Sequence, residues 1–312
     1  MLYLTEDDVR RLLPVSECVR LMREVFERLA AGEALNQPRR RLILPTHSVL
    51  HYMAASDGRY FGAKIYASNP RRGAYFLFLL YAAADAQPLA ILEANHLGQI
   101  RTGAASGFAT ALLARPDART VGIIGSGFQA FTQLEAMLGV RRLTSVTVWS
   151  RSAENRAAFA GRCSHFGIPI TAAATAEEAV RGADIVITAT NSKDPVLEDA
   201  WIAPGTHINA MGSNQAARRE LPAELVRRAD LVVVDNREQA RMEAGDLVLA
   251  LGVEQWSRTV ELQEIVAGRQ GRTSPHQITI FKSIGIAAED VRAAGFVYER
   301  ALETGAGQPV HS

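Results

Sequence analysis

Apolar and polar positions change rhythm three times along this chain, and each change predicts a different kind of structure. Residues 1–30 read as helical. Thr5 and Asp8 resemble a capping box and Pro14 closes a first helix. A second helix, starting near Ser16, sets Val19, Met22, Phe26 and Leu29 on one face by 3-4-3 spacing, the mark of a core stripe. Between 40 and 110 the runs LILP, VLHYMAA, YFGAKIYA and AYFLFLLYAAA are broken by SDG, SNPRRG and DAQP, which are turn compositions. That pattern predicts a mostly antiparallel sheet, followed by a helix over 100–114 and a boundary at Pro116–Asp117. From Thr120 onward short apolar runs alternate with amphipathic stretches: TVGIIG, SVTVWS, IPIT, ADIVITAT, THINAMG, ADLVVVD and HQITIFKS are the expected strands. Alternation of this kind predicts a parallel sheet wrapped by helices, with ligands at the carboxyl ends of the strands. The last helix, 286–303, is long enough to return to the first domain.

The fold class expected is therefore α/β: a Rossmann-type doubly wound parallel sheet over 116–285, and an α+β substrate and dimerisation domain built from 1–115 with 286–312. The 312 residues suffice for two cores, and with 48% of them apolar and a net charge of +1, neither disorder nor a nucleic-acid surface is indicated. Two cysteines, Cys18 and Cys163, make no disulfide framework or zinc spacing, and no metal site is expected. The start, MLYLTEDDVR, carries acids where a secretory leader needs bases, and the longest apolar run, 74–84, is about half of what a bilayer requires. A reduced, cytoplasmic protein with no membrane partner is the expectation.

The strand VGII delivers Gly125-Ser126-Gly127-Phe128-Gln129-Ala130 and then a helix, which is G-x-G-x-x-[GA] in its required context. The first glycine makes the turn, the second lets the backbone approach a pyrophosphate, and Ala130 permits close helix–strand packing. An NAD site usually has an acid about 20 residues further on. Here Ser150, Arg151 and Ser152 stand at that place. An acid repels a 2′-phosphate, whereas an arginine and two hydroxyls offer it charge and hydrogen bonds, so NADP(H) is expected over NAD(H). The ordinary alternative is a surface arginine starting a helix capped by Ser152.

Three cationic features stand out in the first domain: Arg39-Arg40-Arg41, Lys64 inside a strand, and Arg101 at the start of a helix almost free of charge. Lys64 belongs either on the wet face of an edge strand or buried against an anion. Arg101 opposes the helix dipole unless an anion lies nearby. His51 reads as a structural histidine, with general acid catalysis as the alternative.

GAK at 62–64, IRTGAASGFAT at 100–110, IIGSGFQA at 123–130, INAMGSN at 208–214 with RREL at 218–221, VDNREQA at 234–240, EAGDL at 243–247 and IFKSIGIAAED at 280–290 occur in that order. Together they resemble the ornithine cyclodeaminase/mu-crystallin family over essentially the whole chain. The resemblance implies a homodimer formed through the sheet of the substrate domain. It implies that a substrate carboxylate is held by Arg40, Lys64 and Arg101, although Arg39 or Arg41 could be the first of these. Thr102 is implied near the cofactor phosphates, and the segments carrying Thr190, Met211 and Lys282 on the nicotinamide side. Cyclodeaminases of the family carry an aspartate, followed by a proline two residues on, at the position matched by Asn214. An amide has no proton to exchange near neutral pH. The GSN…RREL version is similar to members that reduce cyclic imines, so Asn214 and Lys64 are the expected catalytic positions and a small cyclic imino acid the expected substrate. Ornithine cyclodeamination, an alanine-type amino-acid dehydrogenase, and a crystallin-type ligand-binding protein are the alternatives.

Overall fold

Leu2–Leu4 forms a strand, β1, rather than the start of a helix: three residues pair in parallel with Pro88–Glu93 (β7), a run that its short length and flanking DAQP hide in the sequence. After β1 come α1 (Glu6–Leu12) and α2 (Val15–Ala30), then β2 (Leu35–Asn36), β3 (Arg40–Ile43), β4 (Val49–Ser56), β5 (Tyr60–Asn69), β6 (Gly73–Ala82), β7 and α3 (Asn95–Leu113). The expected capping box is present, with Thr5 and Asp8 each accepting from the other's backbone N–H. The buried stripe of α2 runs through Cys18, Leu21, Met22, Val25 and Phe26; Val19 and Leu29 lie at its margins, half-buried. The helix expected from residue 100 starts at Asn95.

The structure, a computed structural model, describes residues 1–269 and 271–310, so positions 311–312 of the expected substrate domain lie outside them. The chain divides into two compact units, residues 1–104 with 285–312, and residues 105–284. The division falls inside α3 rather than after it.

The second unit runs β8 (Thr120–Ile124), α4 (Phe128–Val140), β9 (Ser145–Trp149), α5 (Ala153–Arg162), β10 (Ile170–Ala172), α6 (Ala176–Val180), β11 (Ile185–Thr188), β12 (His207–Ala210), α7 (Ala223–Arg228), β13 (Leu231–Val234), α8 (Arg237–Glu243), α9 (Gly245–Val248), β14 (Thr259–Glu261), α10 (Leu262–Val266) and β15 (Thr279–Lys282). These strands form one parallel sheet in the order β10-β9-β8-β11-β12-β15-β13-β14. Every residue of β11, β12 and β15 is buried, as strands covered on both faces require. The order reverses between β8 and β11, and the crevice at that switch point is where such a sheet binds its ligand. Seven of these strands match expected runs, including β10, three residues at one sheet edge; β14, three residues at the other, was not expected.

The first unit is completed by α11 (Ala287–Thr304) and β16 (Gln308–Pro309). Its sheet, in the order β16-β1-β7-β6-β5-β4-β2 with β3 also on β4, is antiparallel except for the β1–β7 pair. Cross-strand partners share a face. One row, Met53–Lys64–Phe78–Leu92, is buried, and α11 packs on this sheet and on α2. The alternate row exposes Tyr52 and Leu77, with Leu50, Leu42 and Tyr75 also exposed on that side.

Candidate active site

Lys64 stands in the middle of an apolar row on a central strand, and its side chain is 4% exposed. Alternation places it inward, and a buried ammonium needs an opposite charge. Asp290 of α11 supplies one: Lys64 Nζ donates to Asp290 Oδ1 at 2.9 Å. The same oxygen accepts from Arg101 Nε at 3.1 Å, while Arg101 Nη1 donates to Glu289 Oε2 at 2.9 Å. The question left open by periodicity is thus resolved as burial against an anion, and Arg101 opposes its helix dipole because two carboxylates hold it. Burial lowers the Lys64 pKa to about 8, against the pull of Asp290 and with help from Arg101 and Arg39. Burial raises the Asp290 pKa, but Arg101 and then Lys64 outweigh it, and the carboxyl lies below its usual range.

Arg40 corrects one expectation. It is exposed and pairs with Tyr52 on the opposite face from Lys64, because neighbouring residues on a strand point to opposite sides. Arg39 is the buried one, 5% exposed, donating from Nη2 to the Gly285 carbonyl at 3.1 Å and close enough to influence Lys64. Glu289 and Asp290 were not singled out in the sequence, although they end the IFKSIGIAAED motif; an acidic pair at a helix start has an ordinary dipole explanation that conceals the role. His51 is stacked on Tyr66 with ring centroids 4.2 Å apart, and Nε2 lies 2.9 Å from Ser68 Oγ. Burial, with Arg41 and Arg39, lowers its pKa to about 4, so the ring is neutral at pH 7 and lacks the imidazolium form a general acid uses. Thr102 lies on α3, its hydroxyl donating to the Gly98 carbonyl at 2.6 Å.

In the second unit, β8 ends at Gly125, whose φ of +113° is left to glycine and whose added Cβ would meet the Ala189 carbonyl oxygen at 2.4 Å. Gly127 caps α4 and faces open space, with nothing within 4 Å of an added Cβ. Ala130 is fully buried, Phe128 is 45% exposed, and Gln129 Oε1 is buried without a hydrogen-bond partner. A cleft of about 770 Å³ opens here, lined by the glycine loop, Ser150–Ser152, Asn155 and the segment after β11 that carries Thr190. Among the described residues, no carboxylate lines it. Ser126 Oγ donates to Ser150 Oγ at 2.8 Å, Ser152 caps α5, and Arg156, which sequence reading passed over, donates to the Ser150 carbonyl at 2.8 Å. Turn, open approach, free helix N-terminus and switch-point cleft together fit a dinucleotide. Gly127→Val is expected to leave the thermal midpoint unchanged, since the side chain enters open space, and to weaken dinucleotide binding at least about tenfold in a fluorescence titration.

The far side of the cleft is organised by a buried cluster. Glu220, fully buried, accepts from Thr188 Oγ1 at 2.8 Å, Thr190 N at 2.6 Å and Gly212 N at 2.7 Å, so one carboxylate joins the ends of β11 and β12. Asp246 Oδ1 accepts from the N–H groups of Glu220 and Leu221. Lys282 Nζ lies 2.9 Å from Asp246 Oδ2 and donates to the Ser213 carbonyl at 2.7 Å. Lys282 is therefore corrected from a cofactor contact to a support: wholly buried, it fixes the loop that precedes Asn214. Met211 N bonds to the Thr188 carbonyl, and Asn214 is half-buried on that loop. The RREL, EAGDL and FKS motifs thus meet in one place, a link no periodicity reveals. Among the described residues, no group of His, Cys, Asp or Glu is placed to hold a metal, and no helix is long and apolar enough to cross a membrane.

The family model described as ornithine cyclodeaminase/mu-crystallin matches residues 1–305. The chain is 41% identical over 229 residues to a Δ1-pyrroline-2-carboxylate reductase of Bacillus cereus, covering 72% of this chain and 70% of that protein. To an alanine dehydrogenase of Archaeoglobus fulgidus it is 35% identical over 321 residues, 99% of this chain and 98% of that one. The structure of Thermococcus litoralis Δ1-pyrroline-2-carboxylate reductase in complex with NADH and L-proline matches with a TM-score of 0.94 at 35% identity, covering 99% of this chain and 100% of that one. By the extent of these matches, the chain belongs to the ornithine cyclodeaminase/mu-crystallin family.

Proposed function

We propose that the protein is an NADPH-dependent reductase of a small cyclic imino acid of the Δ1-pyrroline-2-carboxylate or ketimine type. The observation that carries this reading is the buried pairing of Lys64 and Arg101 with Glu289 and Asp290, with Arg39 buried in the same unit and bonded to the Gly285 carbonyl. Three positive groups meet two negative ones, and a carboxylate ligand completes the balance with charge-assisted hydrogen bonds worth about 1.5–3 kcal/mol each. Lys64 and Arg101 hold the substrate carboxylate and thereby fix the imine carbon. The glycine loop, Ser150–Ser152, Thr190 and Met211 hold the dinucleotide, with Thr102 near its phosphates. When bound, the reduced cofactor supplies the hydride. Lys64, its pKa lowered by burial to about 8, keeps a proton on the ring nitrogen, and Asn214, an amide with no proton to exchange, is the second catalytic position of this reading. The absence of any carboxylate at the cleft and the presence of Arg151 support NADPH over NADH.

The relatives named above support the reaction class: imine reduction in two of them, and an alanine dehydrogenase in the third. The test is NADPH consumption with Δ1-pyrroline-2-carboxylate and Δ1-piperideine-2-carboxylate, set against pyruvate plus ammonium and against ornithine with NAD. Turnover of the cyclic imines is expected. Exclusive turnover of pyruvate with ammonium, or proline formed from ornithine, overturns the reading. We also infer a homodimer paired through the sheet face that exposes Leu42, Leu50, Tyr52, Tyr75 and Leu77. A solution mass of two chains is expected, and a single-chain mass at micromolar concentration counts against it.

A further inference from the structure

Only three of the 34 basic residues of this chain are lysines: Lys64, Lys193 and Lys282. Lys193 is exposed; the other two are buried, each against one aspartate. A chain that uses arginine almost everywhere has kept lysine where charge is taken out of water. For gripping a carboxylate alone arginine is the better residue, being planar, bidentate and permanently charged. What lysine adds is a proton that can leave. At position 64, this makes the groups that govern that proton part of the machinery.

The ammonium is surrounded as follows. From α11 come Asp290, in contact, and Glu289, held through Arg101; from α3 comes Arg101; from the segment before β3 comes Arg39; from β6 the Phe76 ring lies 5.6 Å from Nζ. Cys18 of α2 is near both carboxylates, and its thiol is pushed up by burial, so it stays neutral. Two guanidinium groups therefore work to drive the proton off Lys64, and Asp290 Oδ1, shared between Lys64 and Arg101, is the anion in contact with it. Asp290 Oδ2 is buried without a hydrogen-bond partner, so this carboxylate is not saturated by its protein neighbours.

We propose that Asp290 is a positioning residue for Lys64: through the single oxygen it shares with Arg101, it aims the ammonium and decides the pH at which Lys64 is charged. The inference rests on the functional reading for its consequence in turnover, but the lysine titration itself needs no substrate. In the wild type, where the pKa of Lys64 lies at about 8, kcat/KM is expected to fall as pH rises through that value, because the charged form binds the acid group and holds the proton. Removing an opposite charge in contact moves a pKa by roughly 1–3 units, and for an ammonium the direction is down. Asp290→Asn is therefore expected to bring the alkaline limb at least about one unit lower, so that activity at pH 8 drops about tenfold relative to its acid plateau. Glu289→Gln, which touches Arg101 and not Lys64, is expected to move it less.

The experiment has two arms on the full-length protein. Lysine labelled at Nζ gives only three signals for NMR, and Lys64 is identified by its loss in Lys64→Arg. Its titration is followed in wild type and in Asp290→Asn, and the pH profile of kcat/KM for Δ1-pyrroline-2-carboxylate is recorded for the same proteins. A Lys64 signal that titrates at the same pH in both overturns the inference, whatever the kinetics. A wild type with no turnover of any imino acid sinks the functional reading and leaves the NMR arm to judge Asp290. If Asp290→Asn fails to fold, Asp290→Glu is read in the same way, since one added methylene displaces the shared oxygen; no movement of the Lys64 titration then overturns the proposal, as does a wild-type Lys64 that titrates near the ordinary lysine value.

Discussion

Arg101→Met is expected to lower kcat/KM for a cyclic imino acid by about 10²- to 10³-fold, with the affinity for NADPH nearly unchanged. Truncating one partner of a buried, hydrogen-bonded charge pair in a binding site costs about 2–5 kcal/mol of binding, and each 1.4 kcal/mol is a factor of ten. Arg101 is only 8% exposed at its side chain and makes hydrogen bonds to both Glu289 and Asp290. Its loss removes the more rigid half of the proposed carboxylate grip and leaves only Lys64 and Arg39 to balance two acids, so the pocket goes from a net positive charge to none. The effect should appear mainly in KM, because the grip is made in the ground state and kept in the transition state. Arg101→Lys restores charge without the fork that reaches two carboxylates and should recover only part of the loss. Steady-state kinetics with a parallel dinucleotide titration separate the outcomes. A variant that folds, with its imino-acid KM unchanged, removes Arg101 from the substrate site.

What the sequence disclosed, and what it hid, follows from the range of the physics involved. The glycine loop was legible because every part of it is local: strand, turn and helix lie within a dozen residues, and Gly125 takes a backbone conformation that other residues rarely adopt. Most of the parallel sheet was legible for the same reason, since a strand buried on both faces is a continuous apolar run. Two short strands escaped, although β10, with three residues as well, was expected from the IPIT run. β1 and β14 have three residues each, and β1 owes its existence to pairing with a strand more than eighty residues away. The cation site was half legible. Lys64 and Arg101 stood out as charges in apolar surroundings, but Asp290, 226 residues from Lys64, is brought to it only by the return of α11. Choosing among Arg39, Arg40 and Arg41 required knowing which way the strand alternates, and one step of register exchanges the buried arginine for an exposed one. Lys282 was misread because a strand end looks the same whether its side chain turns to a ligand or, as here, to Asp246 and the Ser213 carbonyl.

Ser150→Asp should reverse the choice of cofactor, raising the KM for NADPH about 100-fold while lowering that for NADH. Ser150 directly follows β9 and lines the cleft, its hydroxyl accepting from Ser126 Oγ and donating to the Ser152 carbonyl, so a side chain there faces the glycine loop. A carboxylate in that place accepts from ribose hydroxyls, and it repels a 2′-phosphate bearing up to two negative charges. Arg151 is exposed, which limits its share of phosphate affinity to what salt leaves unscreened, so Arg151→Ala should cost less, about tenfold for NADPH, and the loss should shrink as ionic strength rises. The two variants therefore divide the selectivity into a steric and charge veto at 150 and a screened attraction at 151. Both rest on the wild type preferring NADPH. A lower KM for NADH in the unaltered protein would mean that the serine pair binds ribose hydroxyls directly, and that a mouth without an acid selects against nothing.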